Sequence, residues 1–337
     1  MIRVAVVGVN HIGKIHCRAY RQRPDTELAA VCDLVAERAE AAGREFASPH
    51  YTDLRLLLER ETVDVVVVAT AGVEKGSHHF APAMLAMEAG CDVFVEKPLS
   101  NDIEEARKMV AFAREKGVRL ACNLNHRFTP AAARAKELAE RGKLGELLFV
   151  NMRLTIRNPQ DDTEWLHMRA LHPHSVDVMR YFAGDIARVQ SFMTKAPGRR
   201  GWSTASVNVQ FVSGAVGHLT GSYDMSMRHP IEFCEVAGDR GRFVIDNVYE
   251  SLTYYPHDAD ELTVVRNPLF GGMKGFDDTF DRRIDRFIEE LKAGVAPERL
   301  SASGADALAA QEVIEAAIRS HRLGGAPVEV AQRPSGQ

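Results

Sequence analysis

The sequence predicts an α/β fold in two parts. An N-terminal doubly wound parallel domain precedes an α+β domain built on a large, mostly antiparallel open sheet. Three observations predict it. Short β-branched runs alternate with helical patterns as far as Cys122, the order a doubly wound sheet requires. A glycine-containing turn, Gly8 to Gly13, follows the first run directly and opens a helix. From Leu147 the texture changes to consecutive alternating strands, with tight-turn signals at Ser213-Gly214 and Arg240-Gly241, which describe hairpins rather than crossovers.

The first run, 2–7, is short, apolar and β-branched, and a helical pattern follows the turn through Arg23. Strand, glycine turn and helix in that order is the context of the Rossmann dinucleotide fingerprint. Gly8 would permit the tight turn and Gly13 the close packing of helix on strand. Asn10, His11 and Ile12 complete a turn whose helix N-terminus offers free N–H groups and a positive dipole end to a pyrophosphate. Asn10 stands where a second glycine is usual; asparagine tolerates φ > 0 better than most residues, so the turn can survive. The second strand, 27–32, ends on Asp33, 20 residues after Gly13. A carboxylate there can accept from the ribose hydroxyls and repel a 2′-phosphate, which favours NAD over NADP.

A third strand is expected over 63–70 and a fourth over 92–95, after the helix stop Glu88-Ala89-Gly90. Helices over 36–46, 79–89 and 103–116 complete the layers. Glu96-Lys97-Pro98 then falls at the carboxyl end of the fourth strand, the edge where open α/β sheets bind ligands. A lysine in such a crevice is partly desolvated, which lowers its pKa and makes it a usable proton carrier. The plain alternative is a solvated strand-end lysine before a turn proline.

The second part opens with a long strand over 147–157 and a helix over 173–182. Strands over 188–194, 205–211, 215–223, 231–237, 242–247 and 251–255 follow. A helix over 276–293 carries Phe280, Ile284, Phe287, Ile288 and Leu291 on one face, and a last helix, 305–322, stops at Gly324-Gly325. The expected domains are therefore 1–123 and 124–330, with helix 305–322 available to pack back toward the first and 331–337 a disordered tail. A sheet face left uncovered by its own helices needs a partner, so a homodimer or homotetramer through that face is expected.

Composition bounds the function. A chain of 337 residues, 45% of them apolar, can bury two cores. The net charge of −4 is spread through mixed acidic and basic residues, so nothing marks a nucleic-acid surface. Five scattered cysteines without a C-x-x-C pair read as reduced, packed thiols. The first strand begins at Ile2, leaving no room for a signal peptide, and no apolar run approaches the roughly 18 residues of a membrane span. A cytoplasmic protein with a small-molecule substrate is expected.

These motifs resemble the Gfo/Idh/MocA family of NAD(P)-dependent sugar and inositol oxidoreductases, over nearly the whole chain. The family's first motif matches as Gly8, Asn10 (a departure), Gly13 and His16, and its acidic residue as Asp33, followed by Arg38 and Ala39. The third strand ends in Ala69-Thr70 as the family's does; Ala71 replaces a usual proline, and His79 best matches the histidine after it. Glu96-Lys97-Pro98 is the family signature, with Lys97 implied in proton transfer. Residues 123–130, including Asn125, look like the segment that leaves the cofactor domain beneath the nicotinamide. The resemblance thus adds Arg38, Thr70, His79, Glu96, Lys97 and Asn125 to the expected cofactor-binding set.

In the second domain His174 looks like the family's catalytic-type histidine. Four residues earlier, where the family commonly has an aspartate, stands Ala170, and the approach to the motif is shortened. Asp177 matches a separate family aspartate, and Arg169 or His172 could fill the vacated space with a donor. Arg127 and Arg153 could clamp an anionic substrate, Arg153 having a solvated strand position as its alternative. Trp165, like Trp202, is either a sugar-stacking platform or packing. His167, His172 and His174 match no zinc-ligand spacing, so no metal is expected.

The resulting reading is an NAD-dependent oxidoreductase acting on a polyol, cyclitol or sugar. Lys97 and His174 would serve the reacting oxygen, one taking the hydroxyl proton and the other holding the oxygen. Lys97 is the better placed for contact; His174, with an unperturbed pKa of about 6.5, is the better suited to the proton. Two other readings stand beside it. One is a glycosidase that retains NAD and works by transient oxidation and elimination; the other is a non-catalytic NAD- and sugar-binding regulator.

Overall fold

The computed structural model describes residues 1–71, 78–267, 273 and 275–331. The chain forms two compact units, Met1–Leu124 with Phe280–Leu308, and Asn125–Thr279 with Ala309–Gln337.

The first unit alternates strand and helix. β1 (Ile2–Val7), α1 (His11–Gln22), β2 (Thr26–Cys32), α2 (Ala36–Phe46), β3 (His50–Tyr51) and α3 (Leu54–Arg60) form its first half. β4 (Val65–Val68), α4 (Phe80–Glu88), β5 (Asp92–Val95), α5 (Ile103–Lys116) and β6 (Leu120–Cys122) form the second. The sheet runs β3-β2-β1-β4-β5-β6 with parallel pairing throughout. β4 is four valines buried on both faces, which is why it reads as a continuous apolar run rather than an alternation. Strand order reverses between β1 and β4, so the loops leaving these two strands flank the crevice in which such sheets bind nucleotides. Capping fixes the helices locally: Asp53 accepts from Arg55 N at the start of α3, and Asp102 from Glu104 N and Glu105 N at the start of α5.

The second unit contains α6 (Pro130–Glu140), β7 (Leu147–Thr155), α7 (Leu166–Ala183), β8 (Ile186–Thr194), β9 (Thr204–Phe211) and β10 (Val216–Ser222). β11 (Glu232–Gly238), β12 (Gly241–Asp246), β13 (Ser251–Pro256) and β14 (Thr263–Arg266) follow. The chain then forms α8 (Asp278–Lys292), α9 (Gly304–Arg322) and β15 (Val328–Glu329). The sheet order is β14-β13-β12-β11-β7-β10-β9-β8-β15, antiparallel except for the β7/β10 pair. One face carries Val150, Met152, Val207, Leu219, Val236 and Phe243 into a single core with α6, α7 and the later part of α9. The opposite face exposes Phe192 and Val216, each by about half (55% and 54%).

The structure revises three sequence expectations. Residues 280–308, placed in the second domain from sequence, belong to the first unit: Ile284, Phe287 and Ile288 of α8 pack into the core of Val4, Val6, Val65, Val67 and Phe94. An amphipathic stripe declares that a helix is buried without declaring in which core. α7 starts at Leu166, not at residue 173, and keeps Pro173 inside. Proline is commonest at a helix start, which misplaced the boundary; here burial of nearly the whole helix outweighs its missing N–H. α3, α6, β14 and the two-residue strands β3 and β15 were not anticipated. The expected disordered tail lies outside the described residues, apart from Ala331.

Among the described residues no helix is long and apolar enough to cross a membrane. All five cysteines are buried and unbridged. Burial pushes the thiols of Cys17 and Cys32 up to about 12, so they behave as packing groups.

Candidate functional site

Two constellations stand out, one in each unit. In the first, the turn after β1 is closed by its glycines. Gly8 has φ +85°, and a Cβ there would lie 2.7 Å from Thr70 N. A Cβ on Gly13 would lie 1.9 Å from the Gly8 carbonyl oxygen. Asn10 does not need the left-handed region: as N-cap of α1 it is extended, with φ −79° and ψ −162°. The reason asparagine is accepted there is therefore ordinary backbone geometry, not its tolerance of positive φ. Its side chain makes no capping bond, and the first turn, with His11 exposed and Ile12 half-buried, holds no acidic residue. The N–H groups of that turn are thus left for an anion. Asp33 is buried and accepts from Val9 N at 3.0 Å and Val35 N at 2.9 Å, with exposed Arg38 at 4.0 Å. Its carboxylate fastens the loop after β2 to the glycine turn. A close-backbone cradle, an uncapped helix start and a fixed carboxylate fit a dinucleotide.

At the end of β5, Glu96 faces inward. Its Oε1 meets His16 Nε2 and Asn123 Nδ2, each at 2.7 Å. Burial alone would raise its pKa, but those hydrogen bonds and the charges of His16 and Lys97 hold it below the usual carboxylate value. Glu96 is therefore a tie between α1, β5 and the end of β6, and that oxygen is spent within the unit. His79, also expected to touch the cofactor, is fully buried, with Nδ1 at 2.8 Å from Pro98 O and Nε2 at 2.9 Å from Thr70 O. Both ring nitrogens face backbone carbonyls, of which a neutral ring donates to one, and the buried imidazole packs between the loop after β4 and the loop that carries Lys97. Burial keeps its pKa below the ordinary value against the pull of those carbonyls. Lys97 itself is half-buried, precedes a cis proline, and has its pKa lowered by burial, with Glu96 opposing.

The second unit brings three residues together. His174, on α7, is 7% exposed. Its ring lies on that of His126, centroids 4.1 Å apart and planes within 11°. His126 Nδ1 is 2.6 Å from Glu232 Oε2, and the Phe276 ring lies T-shaped to the imidazole at 5.5 Å. Neither His126 nor Glu232 was a sequence candidate. A carboxylate opening the apolar strand β11 was the available signal. Ala170 is buried one turn before His174 and supplies only a methyl group. Asn125 donates to Thr279 Oγ1 at 2.5 Å.

The remaining substrate candidates have partners. Arg127 forms a two-pronged pair with fully buried Asp177, Nε to Oδ2 at 2.7 Å with a second prong from Nη2 to Oδ1, and packs over Tyr181. Each neutralises the other, so this is a structural pair and no anion clamp. Arg169 makes a similar pair with Glu315 of α9, at 2.7 and 2.9 Å. His172 is held by Ser175 Oγ and by His167 Nε2, both at 3.0 Å. Burial drives both histidines down, His167 to about 3 with help from Arg199. Trp165 is packing: it is buried, stacks on Trp202 at 6.1 Å and lies under Arg322. Arg153 is exposed on β7, over Phe233, on the sheet face away from the core. Among the described residues no group of three or more side chains could hold a metal ion.

Comparison with known proteins agrees with this architecture. Residues 2–124 match the model of the oxidoreductase family with an NAD-binding Rossmann fold, and residues 132–244 match that of the GFO/IDH/MocA C-terminal domain. Myo-inositol 2-dehydrogenase of Thermotoga maritima is 26% identical over 88% of this chain and 90% of its own. D-glucoside 3-dehydrogenase of Escherichia coli K12 is 33% identical over 45% of this chain and 43% of its own. Among solved structures, levoglucosan dehydrogenase in complex with NADH and levoglucosan superposes with a TM-score of 0.87 at 22% identity, covering 98% of this chain and 100% of that one. With both domain models matched in order, and an NAD-binding first domain of the expected topology, the chain belongs to the Gfo/Idh/MocA family of oxidoreductases.

Proposed function

We propose that the protein oxidises a secondary hydroxyl of a sugar or cyclitol to a ketone with NAD, the first unit binding the cofactor and the second the substrate. The observation that carries this reading is Lys97: a half-buried lysine with a lowered pKa, fixed at the carboxyl end of β5 by the Glu96 and His79 ties. Bound NAD supplies the hydride acceptor at C4 of its nicotinamide. The turn from Gly8 to Gly13 receives the pyrophosphate, and Asp33 the ribose hydroxyls, in preference to a 2′-phosphate. Lys97 holds the reacting oxygen. His174 takes the hydroxyl proton as the carbon loses hydride and passes it to solvent; reduction of a ketone runs the same steps backward. The names of the inositol, glucoside and levoglucosan dehydrogenases among the similar proteins support the substrate class. The half-exposed apolar residues of the open sheet face support self-association through that face.

The test is turnover. Myo-inositol, levoglucosan and a methyl glucoside are offered with NAD while NADH absorbance is followed. Lys97→Ala should lower kcat by about a hundredfold or more and leave NAD affinity, measured by calorimetry, within a few-fold. Sugar binding without NADH formation, unaffected by Lys97→Ala, would replace this reading with the regulator.

A further inference from the structure

We infer that His126 is a further substrate-binding residue, oriented by Glu232 so that a bare Nε2 beside His174 accepts a hydrogen bond from a substrate hydroxyl. The inference rests on the role proposed for His174. His126 and Glu232 are both buried, and the 2.6 Å contact joins His126 Nδ1 to Glu232 Oε2. A carboxylate only accepts, so the hydrogen in that contact belongs to Nδ1, and a neutral imidazole protonated there presents a lone pair at Nε2. Among the described residues that Nε2 has no hydrogen-bond partner. A buried polar atom left unpaired is costly and calls for a partner from outside the chain.

Its position says which partner. The His126 ring lies flat on the His174 ring at 4.1 Å, so an oxygen bound to Nε2 sits next to His174. The acceptor that an aspartate at position 170 would have offered is absent; Ala170 has only a methyl group. The imidazole nitrogen supplies an acceptor by another route, and an uncharged one. It selects a hydroxyl donor on a carbon near the one oxidised, the pattern of a polyol, cyclitol or pyranose. Phe276, T-shaped to the same ring at 5.5 Å, gives it an apolar neighbour.

His126→Phe keeps a flat ring for His174 to lie on and removes the nitrogen. On whichever of myo-inositol, levoglucosan and methyl glucoside is oxidised, kcat/KM should fall about tenfold, mainly through KM, with NAD affinity unchanged. His126→Gln, which carries an amide oxygen, should recover part of the loss. A purely structural role would disturb stability without this KM bias or rescue. His174→Ala separates the two readings. If it loses turnover while His126→Phe keeps full kcat/KM, this inference fails alone; if it keeps wild-type kcat, the proposed role of His174 fails. Nitrogen-15 NMR of the imidazoles in the wild-type protein needs no substrate and no variant. An Nδ1–H, bare-Nε2 tautomer at His126 is expected, and a protonated Nε2 overturns the inference.

Discussion

Gly13→Ala puts a methyl group into the tightest approach in the nucleotide cradle. The added Cβ would lie 1.9 Å from the Gly8 carbonyl oxygen, about 1.5 Å short of the 3.4 Å at which ordinary contact begins. The obstacle is backbone, and Gly8 cannot yield easily because a Cβ-free path past Thr70 N and Ala69 is already required of it. The turn must therefore spread, pulling the start of α1 away from β1. Overpacking of this kind costs about 1–3 kcal/mol, which on a unit of this size lowers Tm by roughly 2–12 °C. The same displacement moves the N–H groups that receive the pyrophosphate, so NAD affinity should fall by a further tenfold or so. Calorimetric titration with NAD, run beside a thermal melt of the apo-protein, separates the two effects. An alanine variant that binds NAD within twofold of wild type would refute the cradle reasoning, whatever its Tm.

Acid should destabilise the protein earlier than its carboxylates alone would. Folded, His167 and His172 are held neutral by burial; unfolded, both titrate near about 6.5. Below that pH the unfolded chain binds more protons, so stability is full above about pH 6.5 and falls as pH drops toward 3. Urea midpoints at about pH 7.5, 6 and 5 should decline in order, and a His167→Gln/His172→Gln double variant should flatten the decline over this window. Glu96, held below its ordinary value, contributes stability that is lost only further down, as the pH passes below the carboxylate range. Arg127→Ala removes the guanidinium paired with buried Asp177 and should cost about 3–5 kcal/mol, read from urea unfolding, whereas Arg127→Met/Asp177→Leu should cost much less. Asp33→Ala should narrow the preference for NAD over NADP in calorimetry; a variant that keeps the wild-type ratio would remove Asp33 from cofactor choice.

What could be read from the sequence was what the backbone enforces nearby. Gly8, Gly13 and Asp33 lie within one strand–helix–strand segment, and the conformations they serve follow from the absence of a Cβ and the reach of one carboxylate. The side-chain partnerships could not be read that way. His126 and Glu232 are 106 residues apart and Arg127 and Asp177 50 apart. A charge on an isolated strand or helix looks the same whether it awaits a substrate or already has a mate. Arg127, Arg169, Trp165 and His172 were all chemically suited to a ligand, and the fold supplied each with a protein partner first. His126 was overlooked for the converse reason: its neighbours in the chain carried the motif, and only folding shows that one of its nitrogens is left over.

The first unit is built from two stretches of chain separated by about half the molecule, and this constrains how the protein is made. Residues 1–124 emerge from the ribosome well before 280–308, yet Phe287, Ile284 and Ile288 belong to the core that those early residues begin. Until they arrive, the side of the β1–β4–β5 core that α8 shares with α1 and α2 is only partly covered, and the nascent domain holds an open apolar surface through the synthesis of everything between. Closing so long a loop adds only a slowly growing entropic cost, so the delay is one of timing rather than of final stability. A fragment cut after residue 124 should therefore bind chaperones or aggregate where the full chain folds. Joining residues 280–308 directly to residue 124 through a short flexible linker should yield a self-sufficient nucleotide-binding domain.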